Sequence, residues 1–346
     1  MFLKLLQAAL MFTLCFWGCV EKQNTTPQEP QEIAIDTLYQ FMDFESYGIS
    51  RPGSITILPN GNIAVADGQI KKITIVTPEE DSVAQFGKEG RGPAEFIYPG
   101  NLTVASGLLN VVDGSQFKVI EFDYRGNYVD NFVYESNAMG GAVALSDNRE
   151  YFTGASGEDN KLIKWAQADS DSSFLFGEAK ISMVEDLDIE ASRNDIVNGR
   201  VPDYMKNNVV LALGDEFLYA FLNSYSELRK YDRDGNLVWE KKLELPDNER
   251  LKKGIAEAAK NMPNALPFLT YINAMKVIES DIYLLGNRSR GNPQHIIKVN
   301  SNGEITTFYR MPEGQNQFMG FTINPENQTL YISDMQSGMV YKGTLE

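Results

Sequence analysis

Residues Ser54 to Gly87 read SITILPNGNIAVADGQIKKITIVTPEEDSVAQFG. Within them ITIL, IAVA, KKITIV and SVAQF are short runs rich in Val, Ile and Thr, whose branched side chains suit an extended, half-buried backbone. Between the runs stand Pro59, Asn60 and Gly61, then Asp67 and Gly68, then the polar TPEED, which are the residue types that turns demand. The stretch therefore predicts four antiparallel strands joined by tight turns.

Asn101 to Val133 repeats the plan as NLTVA, LLNVV, FKVIEF and YVDNFV. Gly61 precedes Asp67 by six positions, and Gly107 precedes Asp113 by the same six. The turn DYRGN at Asp123 to Asn127 returns as DRDGN at Asp232 to Asn236 and as NSNGE at Asn300 to Glu304, each with a glycine free to take left-handed backbone in a hairpin. Further copies begin near Gly141, Val210, Met275 and Gly320, so the chain holds six units at the spacing of propeller blades.

The last copy, YISDMQSGMVYKGTLE, ends without a fourth strand, while Glu32 to Phe44 (EIAIDTLYQFMDF) offers one strand too many at the other end. An N-terminal strand that completes the last blade covers two edges at once. The expected fold is all-β: a six-bladed propeller of four-stranded antiparallel blades over residues 32–346. Two insertions interrupt it. Ile181 to Asn208 is polar and reads as irregular, and Pro246 to Leu266, within about 245–270, predicts a short helix between blades 4 and 5. Such insertions either decorate the rim or act as a lid or docking element.

Between the first two units lies GKEGRGPAEF, with Gly87, Gly90, Gly92 and Pro93 close together. A phosphate-binding Walker loop needs Lys followed by Ser or Thr and then a helix; here Glu89 follows Lys88 and a strand comes next. A mechanical role fits better: the glycines allow positive φ, Pro93 stiffens the exit, and Phe96 plugs the gap between blades. FGKEGRGPAEF followed by YPGNLTV resembles the signature of the six-bladed β-propeller lipoproteins of Gram-negative envelopes, related to NHL and TolB-like propellers. Ala94 stands where that family has a glycine. The resemblance implies the ring and no particular reaction.

The N-terminus points to export. Lys4 precedes an apolar run from Leu5 to Trp17, too short to span a bilayer comfortably, and Gly18-Cys19 follows as in a bacterial lipobox. Phe16 and Trp17 depart from the usual Leu-small pair, so an ordinary secretory signal with an incidental cysteine is the alternative. The division is then a signal peptide at 1–18, lipidation at Cys19, a flexible polar tether over 19–31, and attachment to the envelope, at the outer membrane. The two cysteines of the chain, Cys15 and Cys19, both precede the folded part, which leaves no thiol for a disulfide, a nucleophile or a metal there.

Acidic residues outnumber basic ones 47 to 31, a net charge of -16, which argues against nucleic acid as partner. His295 is the only histidine, so a histidine-based triad or zinc site has one imidazole to work with. Asp67, Asp113, Asp147 and Asp334 are expected to close equivalent strands and accept backbone N–H groups in the following turns; the alternative is a calcium site of converging carboxylates in the channel. Lys88, Arg91, Arg288 and Arg290 are the loop cations, either balancing neighbouring carboxylates or forming a rim patch for an anionic ligand. The function expected is a binding or scaffold module without catalytic residues or cofactor, for a protein, peptide or glycan ligand. A calcium-dependent, lactonase-like hydrolase is the alternative.

Overall fold

The described residues form six sheets, one for each repeated unit, five of four strands and one to which a fifth strand is added. The computed structural model describes residues 29–136, 143–262, 266–289, 291–314 and 316–345. The signal segment, Cys19, most of the tether and Arg290 lie outside the described residues.

Blade 1 runs outward from the channel as Pro52–Ile57, Ile63–Asp67, Lys72–Val76 and Ser82–Phe86. The innermost strands of the next blades are Pro99–Ala105, Val143–Leu145, Val209–Leu213, Ile272–Ile278 and Phe318–Asn324. They stand side by side around the ring, and Phe318–Asn324 returns to pack against Pro52–Ile57. Second strands such as IAVAD and LYAFL are buried along their whole length, while outer strands such as LVWEKK are mostly exposed. The second strands lie in sheets covered on both faces by neighbouring blades, so they read as continuous apolar runs.

Each outer strand crosses over to the inner strand of the next blade. These crossovers and the turns between second and third strands share one face of the ring, called the upper face here. The turns between first and second, and third and fourth, strands form the lower face.

The last blade is closed by the N-terminal segment. Tyr39–Met42 pairs antiparallel with Met339–Thr344 in the register Tyr39 to Lys342, Gln40 to Tyr341 and Met42 to Val340. Phe41 and Met42 are buried, and the Phe41 ring lies 4.9 Å from that of Tyr331. The segment yields one strand more than expected: Gln31–Ala34 adds in parallel to Ile305–Arg310, as a fifth strand on blade 5.

The helix expected in the second insertion spans Asn248–Asn261. The first insertion is not irregular, which corrects the sequence reading. It carries the helix Ile189–Val197 and a helical turn at Asp203–Lys206. Asp188 starts the helix by accepting the Ala191 N–H at 2.9 Å. The two longer helices pack together, and Ile196, Met205 and Ala259 join the core between blades 4 and 5. Tertiary burial of few apolar side chains orders a segment whose polar composition hides it.

Closure by packing predicts that Phe41→Ala destabilises the fold by about 3–5 kcal/mol. Val83→Ala, on an exposed outer strand, should cost less than about 0.5 kcal/mol. Urea denaturation of both variants measures the difference.

Candidate functional site in the central channel

The glycine-rich loop of the upper face is filled by its own side chains. The Glu95 carboxylate accepts the Gly92 N–H at 2.7 Å and pairs with Lys88 at 3.0 Å, and these contacts hold its pKa below the usual value, the Gly92 N–H first. Lys118 donates to the Gly92 carbonyl at 3.0 Å. Phe96 is fully buried among Ala64, Ala66, Leu109 and Phe122, so it does plug the junction of blades 1 and 2. Gly87 sits at φ +91°, where a Cβ would lie 2.4 Å from the Phe96 ring. An N–H that a phosphate would need is already taken by Glu95.

The buried aspartates also work on the upper face. Asp67 Oδ2 accepts the N–H groups of Ser50 and Arg51 at 2.6 and 2.8 Å, while Oδ1 accepts that of Gln69 at 2.8 Å. Asp113 does the same for Ile97 and Tyr98 at 2.6 and 3.1 Å, and for Ser115 at 3.1 Å. Asp334 Oδ1 accepts Gln317 and Gln336 N–H groups, each at 2.9 Å. Each carboxylate thus ties the chain entering a blade to the turn after its second strand. In blade 4 Asn223 takes a related part, its Oδ1 accepting the Tyr271 and Ile272 N–H groups of the strand entering blade 5 at 2.7 and 3.0 Å.

Asp147 is a correction. It lies in the turn after the inner strand of blade 3, on the lower face, and accepts the Ser106 N–H of blade 2 at 2.5 Å. It is not equivalent to the other three.

The loop cations are dispersed. Lys88 is neutralised by Glu95, and Arg91 is exposed on the same loop. Arg288 belongs to blade 5, where it donates to the carbonyls of Asn316 and Gly314 at 3.0 and 2.6 Å. Blade 6 separates it from the other two, so the structure does not gather them into one patch. His295 opens the third strand of blade 5 beside a crevice of about 10 Å3, without room for a substrate. Burial lowers its pKa, opposed by nearby Asp247.

A cavity of about 570 Å3 does occupy the channel. The inner strands of blades 2 to 5 and Thr56 of blade 1 wall it, and Ser146, Asp147, Gly214, Asp215 and Arg233 bring it to the lower face. Arg233 crosses this mouth to donate to Asp215 O at 2.8 Å, and to Gly214 O and Ser146 Oγ at 3.2 Å. Lys276 projects from the inner strand of blade 5 into the cavity lining. Its surroundings push the amine down to about 8, with desolvation as the cause.

Sequence reading missed Lys276 and Arg233. The signal for Lys276 is a charge inside an innermost strand, AMKVI, which a solvated strand face would equally explain. Among the described residues no three His, Cys, Asp or Glu side chains gather to hold a metal ion.

No protein-family model matches the chain, and no curated protein matches it. Solved structures share the ring. Virginiamycin B lyase from Staphylococcus aureus is similar at 12% identity and TM-score 0.51, covering 90% of this chain and 99% of that one. A gluconolactonase from Xanthomonas campestris is similar at 11% and TM-score 0.52, covering 87% and 88%. An exported protein from Bacteroides fragilis is similar at 10% and TM-score 0.53, covering 91% and 98%. At these identities the likeness establishes the six-bladed fold and no chemistry.

The filled loop yields a paired prediction. Gly107→Ala, at φ +74° with open space around it, should cost about 1–2 kcal/mol for its left-handed backbone. Gly87→Ala should cost about 1–3 kcal/mol more, because its Cβ overpacks Phe96. Equal melting temperatures for the two variants would disprove the plug.

Proposed function

We propose that the chain is an exported, lipid-anchored propeller of the cell envelope that binds a small ligand in its central channel. The observation that carries this reading is the cavity of about 570 Å3, a size typical of ligand sites and walled by rigid inner strands. The upper face, by contrast, spends its convergent polar groups on its own backbone.

The N-terminal strand supports a geometry for the anchor. Gln31–Ala34 runs parallel to Ile305–Arg310, whose first residue follows the lower-face turn at Asn300 to Glu304. The chain therefore enters this strand from the lower face, the side on which the cavity opens. A lipid on Cys19 places that mouth on the anchored side of the ring.

The calcium-dependent hydrolase reading finds less support. A calcium ion takes six to eight oxygen ligands, generally with several carboxylates. This cavity sets Asp147 and Asp215 against Lys276 and Arg233. That donor set does not fit the ion.

Thr103 lines the cavity, so Thr103→Trp fills it without touching the latches. Native mass spectrometry of the protein drawn from envelope membranes should show a bound small molecule that this variant lacks; identical spectra would refute channel binding. Radioactive palmitate should label the wild type and not Cys19→Ser, and equal labelling would end the lipid-anchor reading.

A further inference from the structure

We propose that the channel site selects a small organic monocarboxylate, held through its carboxylate by the Lys276 ammonium. This rests on the channel being the binding site and goes further by assigning the chemistry of its ligand.

Other partly buried lysines show how this chain compensates such a cation. Lys164 pairs with Glu135 at 2.6 Å, Lys180 with Glu227 at 2.8 Å and Lys298 with Asp281 at 2.8 Å. Lys230, without a carboxylate, lies 3.7 Å from the centre of the Phe217 ring. Among the described residues the half-buried Lys276 has no hydrogen bond, ion pair or ring partner, and it stands in the lining of the channel cavity. A cation partly withdrawn from bulk water without a partner is left under-compensated. A carboxylate in the cavity would supply the missing counter-charge.

The remaining lining sets Asp147 and Asp215 against Arg233, so beside Lys276 the cavity tolerates no more than one further negative charge. Asp147 Oδ1 already accepts the Ser106 N–H, and Arg233 spends its donors on two carbonyls and Ser146 Oγ at the mouth. Arg233 adds positive potential there and stands in no ion pair among the described residues. Thr56 and Thr103 offer neutral hydroxyls. With a net charge of -16 the whole chain repels polyanions, which further favours a small monoanion.

Proton linkage follows. The charged groups around the cavity are Asp147, Asp215 and Arg233, and Tyr283 stands opposite Lys276 in the sheet register. A bound carboxylate raises the pKa of the amine, so affinity is retained below about pH 8 and falls by up to tenfold per unit between the pKa of the free amine and that of the complex.

The test is calorimetric titration of the mature protein with benzoate and hexanoate, each against its neutral amide, benzamide and hexanamide, at pH 7 and pH 9.5. At least one acid should bind about tenfold or more tightly than its amide. Lys276→Met should weaken that acid at least tenfold, Lys276→Arg should retain part of the affinity, and Lys88→Met should leave it unchanged. Weaker binding of the acid at pH 9.5 completes the expectation. Circular dichroism checks that both Lys276 variants fold. Acid binding unaltered in folded Lys276→Met, or no acid binding below about 10 mM, overturns the proposal. Amides that bind as well as acids, and are lost in Thr103→Trp, overturn the anion preference while sparing the channel as a site.

Discussion

A ring of blades is stable only if its first and last members meet. In this chain the seam is made twice, at the rim and at the channel. At the rim Tyr39–Met42 supplies the outermost strand of a blade whose other strands come from the C-terminal residues. That pairing removes an open sheet edge and seats Phe41 and Met42 in apolar core. At the channel Gly320 comes so close to blade 1 that a Cβ would lie 2.3 Å from the Gly53 carbonyl oxygen. Ser333 Oγ donates to that same carbonyl and accepts the Gly320 N–H. The rest of the architecture depends on this seam, because open ends would release blades 1 and 6 from their neighbours.

The two faces divide the work. On the upper face, buried carboxylates and an amide satisfy the backbone of the chain entering blades 1, 2, 5 and 6, so this surface is a structural collar. Two helices add a local cap over blades 4 and 5. On the lower face the inner strands leave a cavity, and the polar groups around its mouth are only partly used. Arg233 illustrates the difference: it is held by carbonyls without neutralisation, whereas Arg229, in the same blade, meets Glu227 at 2.7 Å. Unspent charge in a cavity open to the lower face is the observation on which the proposed ligand site rests.

Much of the fold was legible because turn chemistry is local. Gly61, Gly107, Gly126, Gly235 and Gly303 all take positive φ, as their hairpins demand, and their spacing exposed the repeat. Phe96 and the latches at Asp67, Asp113 and Asp334 followed from the same logic. Asp147 misled because an aspartate after an apolar run suits either turn of a blade, and only the strand count around it decides. The helix Ile189–Val197 was hidden because its burial is confined to Ser192 and Ile196, too few positions to mark a period. Lys276 was illegible for a tertiary reason: nothing local distinguishes a lysine in a channel from one on a wet sheet face.

The seam is tested most directly by covalent capture across it. Tyr39 and Lys342 are register partners from opposite ends of the chain. In a protein with Cys15 and Cys19 replaced, Tyr39→Cys and Lys342→Cys should oxidise to a single intramolecular disulfide, since paired strand positions meet the geometry such a bond needs. Closing so long a loop should raise the denaturation midpoint in the oxidised form and leave it near the parent value when reduced. Failure of the two cysteines to join in the folded protein, or crosslinks only between molecules, would mean that the ends do not meet and the ring is open.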